Sequence, residues 1–265
     1  MTNSNNIKVA RPLENNPLAD YVVEVVIPYK ENYKSLQDLL IKLNKTKNLK
    51  FAVTLVDDNS YNLDFHKNFE NVYGLKIIRF DEDKGFGYAV NEAVKQSIHE
   101  IFIVMHSDVS DIDLNTLKNL LKGLLDSAKD NVAAISACVD IPLPKECDFL
   151  KADSAVNSDY ILLNDNQFLP FICTAFHKTP FSKAGGFPSY PYCLFEDKLL
   201  CKKLRMFGYN LAYCPTSFCR HVGGQSVKKL IGRNNEVLEK LKNNKILFEK
   251  DLELLENYLA KKQKN

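Results

Sequence analysis

The sequence VVEVVIPY (residues 22–29) decides the fold of this 265-residue chain. Its β-branched run is typical of a parallel strand that is buried on both faces, and Pro28, which has no N–H to donate, is expected to stop it. Apolar side chains then recur at helical spacing from Tyr33 to Leu43, which predicts an amphipathic helix. A buried strand followed by a helix indicates the start of a parallel α/β unit.

The same alternation continues through the first half of the chain. Further strands are predicted at residues 51–56, 75–80, 101–105 and 132–137, and further helices at about 86–98 and 114–125, the latter with Asp113 as its N-cap. The pattern predicts an α/β fold with a mainly parallel central sheet and helices on both faces. Ligands of such sheets bind beyond the carboxyl ends of the strands.

The alternation fades after Cys138. Residues 140–170 look irregular and are expected to form a loop that faces an acceptor. A helix is predicted at about 197–207, ending at Gly208, and a short strand at 211–214, stopped by Pro215. We therefore expect a loose N-terminal arm (1–20), a catalytic domain (21–227) and a helical C-terminal tail (228–265).

The tail is rich in lysine and carries an apolar stripe, with Asn243-Asn244 expected to divide it into two helices. The stripe consists of Phe248, Leu252, Leu255 and Leu259. Lysines beside an apolar stripe suit docking on the catalytic domain, a homodimer through the tail, or attachment to a membrane surface. These three alternatives stay open at the level of sequence.

Composition excludes several classes of protein. Lys+Arg number 35 and Asp+Glu 33, so the net charge of +2 gives no strong basic field, and no nucleic acid is expected as a partner. The seven cysteines are odd in number and lack CxxC spacing, which argues against a disulfide scaffold or a zinc ribbon. With no signal-peptide pattern and no long apolar run, the expected location is the cytoplasm, with peripheral attachment at the inner membrane face left open.

Two segments that follow predicted strands suit nucleotide binding. In DDNS (57–60), Asp57 and Asp58 can accept hydrogen bonds from a ribose hydroxyl or a base N–H, although caps and turns favour the same residues. In DKGFGYAVN (83–91), two glycines permit close backbone approach, and Lys84 and a helix N-terminus favour an anion. The spacing is neither that of a P-loop nor a complete dinucleotide fingerprint, and a tight turn explains it equally well.

Two further segments suit catalysis. MHSD (105–108) places a carboxylate directly after a buried strand, where it can hold Mg²⁺ or Mn²⁺, although a lone aspartate there is more often a cap. Glu196 and Asp197 open a helix, where they either stabilise its N-terminus or provide a base. His221 is either a metal ligand or a structural histidine.

Together these segments carry a resemblance to the family 2 glycosyltransferases of the GT-A, Rossmann-like fold. Seven segments between residues 22 and 226 come in the family order: VIPYKEN, LVDDNS, DKGFGYAVNEAV, VMHSDVS, AGGF, FEDKLLCKKLRMFGYNLAYCP and RHVGGQS. The GFG…N pattern is most similar to the rhamnosyl- and galactofuranosyl-transferase-like branch. Two positions depart from the family pattern: His106 stands where many members have the first Asp of Asp-x-Asp, and Asp83 replaces a common Asn.

The resemblance implies a nucleotide site with the following members. The base pocket would be lined by Pro28, Tyr29 and Glu31. Asp57 and Asp58 would lie near the base and the ribose. Lys84, Gly85 and Ser107 would lie beside the nucleotide, with Asn91 supporting that wall.

The resemblance also implies a metal and a base. Asp108 would contact Mn²⁺ or Mg²⁺ on the diphosphate, and His221 would be a late ligand of the metal or the diphosphate. Asp197, with Glu196 beside it, would deprotonate the acceptor hydroxyl.

The implied activity is that of an inverting hexosyl- or related transferase of the EC 2.4 class that serves polysaccharide biosynthesis. It would move a sugar from a UDP- or dTDP-linked donor to a hydroxyl of a glycan, glycolipid or other acceptor. The alternative is a catalytically inactive glycosyltransferase-like binding or scaffold protein, which the incomplete Asp-x-Asp element and the helical tail would suit.

Overall fold

The computed structural model describes Leu18 and residues 21–46, 49–67, 74–140, 145–151, 158–191, 193–222 and 235–262. The expected arm (1–20), apart from Leu18, and the expected boundary at residues 227–228 lie outside the described residues.

Strands and helices alternate through the described residues. The strands are β1 (Val22–Tyr29), β2 (Lys50–Asp57), β3 (Leu75–Arg79), β4 (Ile101–Met105), β5 (Val109–Ile112), β6 (Val132–Val139), β7 (Ile161–Leu162), β8 (Cys173–His177) and β9 (Asn210–His221). The helices are α1 (Tyr33–Leu43), α2 (Asp64–Lys67), α3 (Phe86–Gln96), α4 (Thr116–Asp126), α5 (Lys178–Lys183), α6 (Glu196–Met206) and α7 (Asn235–Lys262). Two 3₁₀ turns cover Ser127–Asp130 and Lys145–Leu150.

The strands form one mixed sheet in the order β3-β2-β1-β4-β8-β6-β9-β5, with β7 paired to β9. β1 pairs in parallel with β2 and β4, β2 with β3, and β6 with β9, whereas β8 runs antiparallel to β4 and β6. The expected mainly parallel sheet is confirmed. β5, β7 and β8 are antiparallel additions that the sequence did not predict.

Helices cover both faces of the sheet, as the alternating pattern predicts. The leucines of α1 and α4 pack with Val23, Val25 and Ile27 of β1 in one buried cluster. The small apolar residues of α3 and the leucines of α6 pack with Val26 in a second cluster on the other face. The mostly apolar character of β1 follows, since successive side chains face opposite layers and both layers are buried.

Glu24 is the charged exception in β1, and local hydroxyl groups satisfy it. Its side chain points to the α3 face, where it is 7% exposed. One carboxylate oxygen accepts a hydrogen bond from the Thr54 hydroxyl on β2, and the other accepts one from the Ser97 hydroxyl at 2.6 Å. A buried carboxylate with two donors avoids the penalty of an unpaired charge.

Two strands are longer than expected, because proline stops neither of them. β1 continues through Pro28, which pairs with Val56. β9 continues past Pro215 to His221, and its register with β6 shifts between Ala137 and Cys138. The extra residues of this irregularity take Pro215 out of the regular ladder.

Helix α4 begins later than expected. Its N-cap residue is Asn115, not Asp113, and the Asp113 carboxylate instead accepts the Asn115 N–H at 2.7 Å. Asp113 therefore forms a turn before the helix.

Helix α7 is continuous from Asn235 to Lys262, so the predicted break at Asn243-Asn244 is wrong. Asn244 is fully buried and faces the domain, as does the predicted stripe at Phe248, Leu252, Leu255 and Leu259, which is half-buried. Asn244 therefore belongs to the packed face of α7. Among the described helices, none combines the length and the apolar character needed to cross a bilayer.

Residues 140–170 are only partly irregular. Within the described part, Lys145–Leu150 forms a 3₁₀ turn and β7 extends the sheet beside β9. The expectation of an acceptor-facing loop here stays a prediction.

The packing of α4 on the sheet yields a first prediction. A Cβ at Gly123 would lie 2.5 Å from the Asp159 carbonyl oxygen and 2.8 Å from the Ile135 side chain. We expect Gly123→Ala to lower the free energy of unfolding by about 1–3 kcal/mol, because a backbone oxygen and a core side chain must shift. Thermal denaturation should show a Tm lower by several degrees.

Lys118→Ala in the same helix is the matched control, since Lys118 is only half-buried. It should stay within about 0.5 kcal/mol of the parent chain. An equal Tm for Gly123→Ala and Lys118→Ala would contradict this account of the packing.

Candidate active site

The carboxyl ends of β1, β2, β4 and β9 lie at one edge of the sheet, because these strands run in the same direction. The strand order 3-2-1-4 places β2 and β4 on opposite sides of β1. A crevice at such a switch of strand order is where open α/β sheets bind ligands.

Three side chains at this edge form a His–Asp–His cluster (His106, Asp108 and His221). One potential ligand atom from each lies within 4.8 Å of the others. The Asp108 carboxylate is 2.7 Å from His221 Nε2, although 113 residues separate them in sequence. Pairing of Val109 on β5 with His221 on β9 fixes this contact.

The protonation of the cluster favours metal binding. Burial, followed by the charge of His221, lowers the pKa of His106 to about 4, so His106 is neutral at pH 7. Burial raises the pKa of Asp108, but the His221 hydrogen bond and the two imidazoles outweigh it and hold the pKa below its ordinary value. A neutral imidazole at His106 and an ionised carboxylate at Asp108 are the forms that bind a cation.

His221 also has a buried nitrogen without a partner. Its Nδ1 finds no hydrogen-bond acceptor or donor among the described residues. Such an atom inside a protein usually indicates an absent water, ion or ligand.

Ser107 lies within the same turn and is buried. Its hydroxyl accepts a weak hydrogen bond, 3.4 Å long, from the buried Asn32 amide before α1. This contact connects the turn after β4 to the turn after β1.

Asp57 is surrounded by groups of the protein itself. Its buried carboxylate pairs with the Arg79 guanidinium, lies 3.0 Å from His66 Nε2 and accepts the Ser60 N–H at 2.9 Å. The same His66 nitrogen contacts the Tyr29 hydroxyl. Asp57 therefore shapes the pocket by holding its neighbours.

Asp58 holds the turn that begins α3. One carboxylate oxygen accepts the Lys84 N–H at 2.7 Å, and the other accepts the Gly85 N–H at 3.0 Å. Gly85 has φ 85°, a conformation that glycine adopts without strain. Burial raises the pKa of Asp58, and these two backbone donors oppose that rise.

The remaining residues of the expected nucleotide site lie around the same turns. Pro28 and Tyr29 are buried at the end of β1, whereas Glu31 is half-exposed with φ 54° and accepts the Tyr61 N–H. The Lys84 ammonium pairs with Glu82 and lies 5.6 Å from the Tyr88 ring centroid.

Asn91 on α3 contacts the segment that leads to α6. Its amide group donates to the Phe187 carbonyl at 2.8 Å and accepts the Phe187 N–H at 3.0 Å. A Cβ at Gly186 would lie 2.4 Å from the Asn91 Oδ1, and one at Gly87 would lie 2.2 Å from the Pro188 carbonyl oxygen. The two segments therefore approach at backbone contact distance, and Asn91 fixes their register.

Glu196 and Asp197, the acid pair, begin α6. Glu196 is 4% exposed, and its Oε2 has no partner among the described residues. Burial raises the pKa of Asp197 to about 7, and burial followed by the charge of Asp197 raises the pKa of Glu196. Leu194 and Phe195 just before them have φ of 95° and 72°, which costs about 1–3 kcal/mol for each residue.

Cys193 connects the acid pair to the His–Asp–His cluster. Burial raises the pKa of its thiol, and the charges of Glu196, Asp197 and Asp108 raise it further. The charges of all three carboxylates therefore act on one thiol. Helix α6 leads directly into β9, so the start of α6 lies towards the carboxyl end of that strand.

The residues singled out in the sequence thus gather at one edge, with two differences in detail. The carboxylates of Asp57 and Asp58 are engaged by protein groups, and Asn91 contacts the segment before α6. The sequence had not indicated His106 as a cluster member, nor Arg79 and His66 as partners of Asp57. The imidazole of His106 after a buried strand was a usable signal, whereas Arg79 and His66 had none.

Known proteins resemble this chain over part of its length. Residues 24–144 match the family described as Glycosyl transferase family 2. A dolichol-phosphate mannosyltransferase from Pyrococcus furiosus is 30% identical over 90 residues, which are 33% of this chain and 26% of that protein.

Solved structures share the fold at low sequence identity. The mannosyltransferase PcManGT from Pyrobaculum calidifontis, in complex with GDP-Man and Mn²⁺, has a TM-score of 0.57 at 20% identity, over 80% of this chain and 59% of that chain. TarS 1–349 from S. aureus has a TM-score of 0.58 at 16% identity, over 83% and 65%.

The chain spans about a quarter of the curated relative and less than two thirds of either solved protein. Residues 24–144 thus match a glycosyl transferase family 2 domain, in a chain whose sheet has the GT-A fold.

Proposed function

We propose that this chain is a glycosyltransferase that moves a sugar from a nucleotide-diphosphate donor to an acceptor hydroxyl with inversion at the anomeric carbon. The observation that carries the proposal is the presence of a His–Asp–His cluster and of the acid pair, with Glu196 buried and Asp197 half-buried, at one edge of a GT-A sheet. The cluster suits a diphosphate with its metal, and the acid pair suits removal of a proton from an acceptor.

The cluster fits a divalent cation by its chemistry. Two imidazoles and a carboxylate are suitable ligands for Mn²⁺, and His221 Nδ1 has no partner among the described residues. His106, Asp108 and His221 would hold Mn²⁺ or Mg²⁺, with Asp108 the anionic member. The bound ion would neutralise charge on the departing diphosphate.

The turns around the crevice would bind the nucleotide. Pro28, Tyr29 and Glu31 would border the base. The Lys84–Gly85 turn, whose own N–H groups bind Asp58, would bring the first N–H groups of α3 near the diphosphate, where they favour an anion. Asp57 and Asp58 support this wall by holding Arg79 and the turn at residues 84–85. Ser107 has a hydroxyl hydrogen to donate at the same place.

The acid pair would act on the acceptor. As the bond from the anomeric carbon to the diphosphate oxygen breaks, the acceptor oxygen bonds to that carbon on the opposite face. Asp197, in its carboxylate form, takes the hydroxyl proton. Its raised pKa makes it a stronger base than an exposed aspartate.

The finer parts of the proposal concern substrates and place. The donor is a UDP- or dTDP-linked sugar of the rhamnosyl- or galactofuranosyl-like class, or another nucleotide sugar, since PcManGT was solved with GDP-Man. The acceptor is a glycan or glycolipid hydroxyl, reached in the cytoplasm or at the inner membrane face.

The first test of the function is a donor screen with Mn²⁺ or Mg²⁺ that measures release of the nucleotide. We expect one donor to be turned over, and Asp108→Ala to reduce the rate about 100-fold or more, because the only anionic group of the cluster is lost. Asp165→Ala, at a fully exposed aspartate, is the control and should keep the parental rate.

Failure of every donor to bind or react would refute the transferase and favour an inactive binding protein of the same fold. Turnover that survives Asp108→Ala would refute the role given to the cluster.

The acid pair predicts a pH dependence. Since a base acts only when deprotonated, kcat should rise as the pH increases through about 7, the pKa of Asp197. Asp197→Asn should lower kcat by about 100- to 10,000-fold, because general bases contribute that much. Rates measured from pH 5 to 9 test both expectations.

Glu196→Gln is the comparison, because it keeps the shape of the neighbouring side chain and removes its charge. If Glu196→Gln lowers kcat more than Asp197→Asn does, Glu196 is the base and the assignment to Asp197 is wrong.

A further inference from the structure

We propose that α7 positions the acid pair: Asn244, Phe248 and Asp251 hold the acid-pair loop (residues 188–191 and 193–195) in the conformation that presents Glu196 and Asp197. The inference rests on the proposed function of the acid pair, and it gives the C-terminal helix a part in the reaction.

The loop needs stabilising contacts from other parts of the chain, because its backbone is strained at the point where α6 begins. Leu194 and Phe195 are consecutive residues with positive φ, and neither is glycine. Such conformations persist only where the surroundings determine them. The N-cap residue Phe195 also makes no side-chain hydrogen bond to α6, so a capping interaction does not stabilise this conformation.

Asn244 provides the most specific contact. It is fully buried, and its Nδ2 donates to the carbonyl oxygens of Pro191 at 2.7 Å and of Cys193 at 2.8 Å. Both partners are acceptors, so the side chain must offer two N–H bonds from one atom, which alanine, leucine and ionised aspartate cannot do. A buried asparagine within a helix has no value for helix formation itself, which is consistent with a role in this contact.

Two further residues on the same face of α7 also contact the loop. The Phe248 ring stacks on the Phe195 ring with centroids 5.3 Å apart and planes at 22°. The Asp251 carboxylate accepts a hydrogen bond from the buried Tyr190 hydroxyl at 2.7 Å. Positions 244, 248 and 251 follow the i, i+4, i+7 spacing of one helical face.

The other end of the loop is held from the nucleotide side, by Asn91 on Phe187. The loop therefore lies between α3, which begins at the proposed diphosphate turn, and α7. Loss of the α7 contacts should displace the acid pair and leave the cluster and the nucleotide turns in place. A role in positioning therefore predicts an effect on the acid pair alone, whereas a role in general stability predicts an effect on both parts of the site.

The kinetic test compares Asn244→Ala with its exposed neighbour, Asn243→Ala. For the donor that the screen identifies, we expect Asn244→Ala to lower kcat about 10- to 100-fold, since small displacements of a reacting group are that costly. The Kd of UDP or GDP measured with Mn²⁺ by calorimetry should change less than about 2-fold, and Asn243→Ala should change neither. Equal kcat for the two variants, or an equal loss of kcat and nucleotide binding in Asn244→Ala, overturns the proposal.

A gentler pair of variants tests the Tyr190 contact. Asp251→Ala should reduce kcat, and Asp251→Asn should restore most of it, because the amide oxygen still accepts the Tyr190 hydroxyl. Tyr190→Phe should match Asp251→Ala. Failure of Asp251→Asn to rescue would show that the charge of Asp251, not the hydrogen bond, matters, and would overturn this part.

Amide hydrogen exchange gives a readout that does not need activity. Asn244→Ala should lose protection at residues 194–199 relative to Asn243→Ala, with β1 and β4 unchanged. If the parent chain releases no nucleotide from any donor, the proposed function fails. Hydrogen exchange then still tests whether α7 stabilises the loop: a local loss of protection in Asn244→Ala supports this, and equal protection in the two variants refutes it.

Discussion

The hydrogen bond between the Asp108 carboxylate and the His221 imidazole determines the rest of the candidate site. It joins the turn after β4 to the end of β9, 113 residues further along the chain. It exists only because β9 continues past Pro215 and pairs with β5, which brings His221 to the carboxyl edge beside β4. The proposed role of the cluster at a diphosphate therefore depends on that extra length of strand.

The crevice around this contact has walls of different construction. On the side proposed for the nucleotide, two carboxylates accept hydrogen bonds from neighbouring turns. Asp58 accepts two backbone N–H groups, and Asp57 accepts the Ser60 N–H and pairs with the Arg79 guanidinium. On the side proposed for the acceptor, two residues with positive φ precede the acid pair. Both walls contain non-glycine residues with positive φ, Glu31 and Asn59 in the first and Leu194 and Phe195 in the second. Among the described residues, the carboxylate oxygens of Asp57 and Asp58 in the first wall have partners, whereas Glu196 Oε2 in the second has none.

Sequence alone predicted those features that depend on local pattern. The buried run of β1, the leucines of α1 and α4 and the acids after β2 follow from periodicity, and their positions at one sheet edge follow from parallel pairing. What it missed depends on distant partners. β8 reads as an ordinary apolar segment until β4 and β6 stand on either side of it. The length of β9 depends on a register shift against β6, and Asn244 reads as a helix breaker until the carbonyls of Pro191 and Cys193 face it.

The position of β8 has a consequence for how the chain acquires its structure during synthesis. β8 lies between β4 and β6, so these two strands do not pair with each other. Both are synthesised before residues 173–177, with which they pair. Until those residues leave the ribosome, β4 presents an open edge of a highly apolar strand, which is a template for pairing with another chain. The segment of residues 24–144, although it carries the family match, therefore lacks the strand that joins β4 to β6. Completion of the sheet depends on a late strand that arrives in the opposite direction.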